Sequence, residues 1–308
     1  MVVTTRRTGP AVWLPALAIA ALAWGSVAQA EVEIGEEDPQ AGEDERIAYG
    51  EYVLRAGGCV TCHTAEDGDF LAGGRPIESP FGVFYGPNIT PDEEHGIGGW
   101  SEGDFKQALR EGRSPNGTHY YPAFPYTAYT KMTDQDVEAL WAYLQSEVEP
   151  VARENTPHDL DWFVRFRPSL SVWKWLHFEP GEFQANPDES EEWNRGAYLT
   201  QALGHCMECH TPRTRTGGLD LERLGAGARM PDGDVAPNIT PDRETGIGRW
   251  GARHIARYLE MGITRDGDFA GSSMADVIEH GTSYLTSDDR RAIAAYLQSL
   301  DPIEHEPD

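Results

Sequence analysis

Apolar positions recur at helical spacing along this chain, and they do so twice. In residues 101–112, Phe105 and Leu109 share one face and the run stops at Gly112. In residues 251–262, Ile255 and Leu259 repeat the pattern and the stop is Gly262. Apolar residues four apart with a terminal glycine predict an amphipathic helix at each place. Further on, Ala142-Tyr143-Leu144-Gln145-Ser146 returns as Ala295-Tyr296-Leu297-Gln298-Ser299. Capping threonines open those two helices, Thr133 with Asp136 and Thr286 with Asp289. A third helical stretch carries Gly-x-Tyr, at Gly50/Tyr52 and Gly196/Tyr198. A small residue there predicts that the first and last helices of each copy cross closely.

Between the helices the chain repeats itself almost literally. Pro87-Asn88-Ile89-Thr90-Pro91-Asp92 recurs as Pro237-Asn238-Ile239-Thr240-Pro241-Asp242, and both continue to Gly-Ile-Gly-x-Trp, ending at Trp100 and Trp250, an offset of 150 residues. An internal repeat of this size predicts two tandem all-α domains, placed here at 45–150 and 191–302. The connector, 151–190, holds Trp162, Phe163, Phe166, Trp173, Trp175 and Phe178. That is not the Gly/Ser composition of a flexible linker, and it predicts an ordered aromatic segment packing one domain on the other. Residues 31–44 and 303–308 read as acidic, disordered tails.

The N-terminus changes the address. Arg6 and Arg7, the apolar run Ala11–Trp24 and Ala28-Gln29-Ala30 make residues 1–30 a cleavable secretory leader. The run falls short of the about 20 residues that span a bilayer, and no other long apolar run follows. The expected location is periplasmic. The chain has 25 Lys and Arg against 51 Asp and Glu. Only Lys106, Lys131 and Lys174 are lysines. Such a surface repels nucleic acid and anionic membrane, and it suits either a basic partner or a saline habitat.

All four cysteines fall in two Cys-x-x-Cys-His motifs, Cys59-Val60-Thr61-Cys62-His63 and Cys206-Met207-Glu208-Cys209-His210. This is the attachment signal for c-type haem. Two thiols add across the haem vinyl groups, and the histidine, His63 or His210, ligates iron from the proximal side. A four-thiolate zinc site or redox dithiols are the alternatives, but neither needs a histidine after each pair. Two covalently bound haems are expected.

The sixth iron ligand separates a carrier from a catalyst, because an empty site admits small molecules. In the first unit Met132 is the one methionine left, with His95 and His119 as competitors; a hydrophobic staple is its other reading, since the aligned residue is Leu285. In the second unit Met274 is favoured over Met230 and Met261, because it lies in the loop before the final helix. Carbonyls of Pro87 and Pro237 could orient the proximal rings, while Asn88, Trp100, Asn238 and Trp250 could hold propionates. Arg113 and Arg213 are further propionate partners.

The order of helix, attachment motif, long loop, helix, ligand loop and helix resembles the class I cytochrome c fold, twice over. The Pro-Asn-Ile-Thr-Pro-Asp run, Tyr121-Pro122-Ala123-Phe124-Pro125-Tyr126 and Glu192-Trp193-Asn194-Arg195-Gly196-Ala197-Tyr198 resemble the cytochrome c subunits of membrane-bound bacterial alcohol, gluconate, fructose and sorbitol dehydrogenases. That resemblance implies electron flow from a flavin- or quinone-cofactor dehydrogenase toward quinone, an oxidase or another cytochrome. Many such subunits carry a third haem and a C-terminal anchor, and many have Met where Phe124 stands. These departures point to a soluble dihaem carrier rather than an enzyme, with a peroxidase-like protein bearing one open haem as the competing class.

Overall fold

Each repeat begins with the helix that carries its Gly-x-Tyr and ends with the helix opened by its capping threonine. The structure is a computed structural model that describes residues 39–307. The expected leader and residues 31–38 lie outside the described residues. In chain order the elements are α1 (Pro39–Ala56), α2 (Cys59–His63), β1 (Pro76–Ser79), β2 (Gly82–Tyr85), α3 (Glu102–Glu111), α4 (Tyr126–Tyr129) and α5 (Asp134–Ser146). The connector contributes β3 (Asp159–Leu160) and α6 (Ser169–His177). Then come α7 (Glu191–Tyr198), a π turn over Leu199–Leu203, α8 (Cys206–His210), β4 (Ala228–Arg229), β5 (Val235–Ala236), α9 (Ala252–Met261), α10 (Ser272–His280) and α11 (Ser287–Ser299).

Glycine fixes the helix crossings. A Cβ on Gly50 would stand 2.0 Å from the Ala139 carbonyl of α5, and one on Gly196 2.0 Å from the Ala292 carbonyl of α11. Backbone meets backbone at both places, so any side chain would push the pair apart. The caps form as the sequence suggests. Thr133 and Thr286 hydroxyls accept from the Asp136 and Asp289 backbone N–H groups, each at 3.1 Å. α3 and α9 end on Gly112 and Gly262 with φ of 57° and 68°, the left-handed conformation that glycine adopts without a Cβ clash.

The described chain is mainly helical, with two small antiparallel sheets that no alternation in the sequence announces. One has the order β1-β2-β3 and the other pairs β4 with β5. The connector strand β3 closes the first sheet, pairing Asp159 with Val83.

The two repeats do not keep separate cores. A single apolar cluster runs from Val53, Leu54 and Met132 through Leu199, Leu203 and Leu297. Polar exchange across it is reciprocal. Tyr52 of α1 donates its hydroxyl proton to Asp289 of α11, while Tyr198 of α7 donates to Asp136 of α5. Each tyrosine oxygen also accepts the N–H of the other repeat's capping threonine, Thr286 at 3.4 Å and Thr133 at 3.1 Å. Tyr49 adds a second donor to Asp136 at 2.7 Å, and Arg195 grips Asp289 with Nε at 2.8 Å and Nη2 at 2.7 Å.

Two expectations change here. The connector aromatics do not form a core: Trp162 is 84% and Trp175 82% exposed, with Phe163 and Phe166 also outside. Leu160 and Leu170, clustered with Phe84 and Tyr121, hold this segment together with polar bonds. Lys174 Nζ donates to the Glu111 and Gly112 carbonyls at the end of α3, and the Trp173 indole donates to the Thr216 carbonyl. The acidic ends are not free tails either. Residues 39–44 belong to α1, and the C-terminal segment is tied down, with the Ile303 carbonyl accepting from Asn238 Nδ2 at 2.7 Å and the His305 N–H donating to Thr245.

Burial alone would raise the Asp289 carboxyl, but hydrogen bonds from Arg195 and Tyr52, with the Arg195 charge, outweigh it and hold its pKa below the ordinary aspartate value. A depressed folded pKa adds stability that is present above the unfolded pKa and is lost as pH falls through the folded one. Unfolding by denaturant between about pH 5 and pH 2 is expected to show that loss, and Asp289→Asn should flatten it. Tyr52→Phe, which strips one donor from the same carboxylate, is expected to cost about 1–3 kcal/mol at neutral pH.

Candidate haem sites

Both attachment motifs form short helices entered through a left-handed residue, Gly58 (φ 66°) before α2 and His205 (φ 38°) before α8. Each helix turns one apolar residue into the core, Val60 and Met207, both 4% exposed. That removes Met207 from any ligand role. The loops that follow are held alike. The Leu71 N–H donates to Thr64 Oγ1 and the Gly225 N–H to Thr211 Oγ1. The Gly73 and Gly227 N–H groups donate to the carbonyls of His63 and His210, each at 2.7 Å.

The proximal geometry is the most specific feature. His63 Nδ1 lies 2.8 Å from the Pro87 carbonyl, and His210 Nδ1 2.7 Å from the Pro237 carbonyl. A carbonyl only accepts, so Nδ1 carries the proton and Nε2 is left with a free lone pair. Burial lowers both imidazole pKa values, the carbonyl hydrogen bond opposing it, and a neutral imidazole is the ligating form. The thiols are only partly covered, yet their surroundings still penalise charge. Burial pushes Cys59 and Cys206 up to about 12 and Cys209 to about 11, and it raises Cys62. These are not the depressed thiolates of nucleophilic cysteines. Among the described residues, no three or more His, Cys, Asp or Glu side chains are grouped to hold a metal ion. Two protonated thiols beside a neutral, oriented imidazole fit a thioether-linked haem at each motif.

The loop bearing the proximal carbonyl is strapped from behind, which sequence reasoning missed. Asn88 Oδ1 accepts from the Thr90 N–H and Oγ1, while its Nδ2 donates to the Val151 carbonyl at 2.7 Å. Asn238 makes the same set with Thr240 and the Ile303 carbonyl. Both asparagines are 2% exposed. Their amides are used up inside the loop, so they position the proline carbonyl rather than reach a propionate. Arg213 is likewise engaged, by the carboxylate and carbonyl of Glu208, and Arg113 stands 3.9 Å from Glu111. Trp100 and Trp250 are half-buried against the core. The repeated Asn-x-Thr with an apolar residue after each final helix was the signal for the strap.

On the distal side the two halves part. Met274 lies on α10, half-buried at the edge of the core, while Met261 is 57% exposed at the end of α9 and Met230 sits in a tight turn closed by the Asp234 carbonyl. Met132 is 1% exposed and immediately precedes the cap of α5, in one cluster with Val137 of its first turn. That is the hydrophobic-staple position, and Leu285 fills it before α11 at 6% exposure. Phe124 is packed among Tyr120, Tyr126 and Tyr129, with ring centroids 5.7, 6.4 and 5.7 Å away.

Comparison with known proteins gives a consistent result. A family model described as cytochrome c matches residues 47–147. The chain is 45% identical over 275 residues to a diheme cytochrome c-type protein of Cereibacter sphaeroides, covering 87% of this chain and 90% of that one. It is 41% identical to the gluconate 2-dehydrogenase cytochrome c subunit of Pantoea cypripedii, covering 85% of this chain and 61% of that subunit. It is 40% identical to the fructose dehydrogenase cytochrome subunit of Gluconobacter japonicus, covering 86% and 54%. The chain therefore spans little more than half the length of those two subunits.

The strap makes a separate prediction. Asn88→Ala leaves the Thr90 hydroxyl and the Val151 carbonyl without their buried partner, and it is expected to cost about 1–3 kcal/mol. Thermal unfolding followed by circular dichroism checks this, and Asn88→Asp should recover only the bonds to Thr90.

Proposed function

The chain belongs to the cytochrome c family, and from that premise we propose that it is a periplasmic dihaem electron carrier. The observation that carries the reading is the matched pair of proximal sites, each with its histidine Nδ1 on a strapped proline carbonyl. Cys59 and Cys62 would hold one haem, and Cys206 and Cys209 the other, with His63 and His210 as proximal ligands. Bound haem supplies one-electron chemistry between Fe(III) and Fe(II), while the protein sets potential and distance. The two repeats, 45–150 and 191–302, act as the two haem domains, and the connector fastens them through Lys174 and Trp173. Met274 would supply the sixth ligand of the second iron.

The donor proposed is a flavin- or quinone-cofactor dehydrogenase, by analogy with relatives named as cytochrome subunits of gluconate and fructose dehydrogenases. Electrons would leave toward quinone, an oxidase or another cytochrome. Export through the leader supplies the location, since haem attachment takes place on an unfolded exported chain. No helix among the described residues is long and apolar enough to cross a membrane.

Haem content and electron uptake test the proposal together. The purified holoprotein should contain two haems per chain by pyridine haemochromogen assay and take up two reducing equivalents in an anaerobic titration. The reduced form should then pass both electrons to an oxidised small c-type cytochrome. One haem, or a second equivalent that cannot be delivered, overturns it.

A further inference from the structure

The backbone of the two repeats stays in register up to the ligand loop, and the residue found there differs in kind. After the glycine caps of α3 and α9, Arg113 pairs with His119 as Ile263 pairs with Phe269. The Tyr120 N–H donates to the Gly112 carbonyl at 2.9 Å, and the Ala270 N–H to the Gly262 carbonyl at 2.7 Å. The Ser114 N–H donates to the Thr118 carbonyl, as the Thr264 N–H does to the Asp268 carbonyl. All of these pairs are 150 residues apart. Four residues beyond Tyr120 and Ala270, at the same offset, stand Phe124 and Met274. The position that carries a thioether in the second repeat carries a phenyl ring in the first.

Neither Met132 nor the histidines His119 and His95 make good the loss. Met132 is the buried staple of α5, and its counterpart Leu285 shows that the position needs bulk and not sulfur. His119 is turned to the connector, with Nε2 3.1 Å from Ser171 Oγ and its carbonyl accepting from Arg167, while its counterpart Phe269 is 76% exposed. His95 sits in the loop that follows the Pro87 carbonyl, on the proximal side, where its carbonyl accepts from Asn155 Nδ2.

We propose that Phe124 leaves the first haem without an internal sixth ligand, making that centre a binding site for a small neutral diatomic molecule, while Met274 closes the second. The wall around Phe124 is aromatic, from Tyr120, Tyr126 and Tyr129. A neutral ligand therefore suits it better than an anion, because the ammonium beside it, Lys174 Nζ 4.5 Å from the Tyr126 ring, is already spent on the Glu111 and Gly112 carbonyls. The inference rests on the two-haem reading of the chain and adds that its centres are chemically unlike.

Carbon monoxide is the probe, and difference spectra of the reduced holoprotein are the readout. Wild type is expected to take up one carbon monoxide per chain. Met132→Leu should leave both that uptake and the far-red methionine–iron band of the oxidised protein unchanged. Met274→Ala should raise uptake to two per chain and erase the band. Phe124→Met should lose uptake and gain band intensity. Haem is counted on each sample: a single haem per chain overturns the two-centre reading beneath the inference. Two haems with no uptake by wild type, or uptake that appears only in Met132→Leu, overturns the inference alone.

Discussion

The exchange of tyrosine protons for aspartate carboxylates across the repeat interface is the constraint on which the rest depends. Tyr52 reaches from α1 to the cap of α11, and Tyr198 from α7 to the cap of α5. Each bond ends on the first turn of a helix, where unsatisfied N–H groups already favour a carboxylate. Because the same exchange occurs in both directions, rotation of one repeat against the other would break both at once. The turns entering the attachment helices are thereby brought together. A Cβ on Gly58 would meet His205 Nε2 at 3.4 Å, and Tyr129 Oη donates to the Gly57 carbonyl at 2.6 Å. Thr127 bonds Glu208 inside the second motif, and Arg75 reaches Asp276 on α10 at 2.5 Å. For a protein that moves electrons, this matters more than stability. Transfer falls off steeply with separation, and a shared core fixes the separation of the two attachment helices.

Most of the helical frame was legible because its signals are local. The two capping threonines act on the next helix turn, so spacing alone exposes them, while Gly50 and Gly196, whose partners Ala139 and Ala292 are distant, show only because Gly-x-Tyr recurs in both repeats. The attachment motifs were legible for the same reason. What stayed hidden is what depends on distant residues. Nothing near Asn88 announces that Val151 will lie behind it, and nothing near Tyr52 announces Asp289. The connector shows the reverse error. Trp162 and Trp175 look like core by composition, but they stand exposed, and the attachment is made by Leu160, Leu170, Phe178 and Lys174.

Symmetry and its failure divide the function between the two faces of each site. On the proximal side both copies keep the same apparatus down to hydrogen-bond lengths, because an imidazole can be oriented by a carbonyl in only one way. That carbonyl needs a rigid loop, hence Asn-x-Thr and a strap from beyond the final helix in each. The distal side carries no such requirement. There the register slips from 150 residues at the ligand loop to 153 at the last helix, and the one-turn α4 stands where the second repeat builds the nine-residue α10. The slip is absorbed before Thr133, so the interface tyrosines still find their carboxylates. A repeat can therefore change its ligand loop while the frame that holds the two repeats together stays untouched. That separation is what the proposed pairing of a closed centre with an unlike one requires.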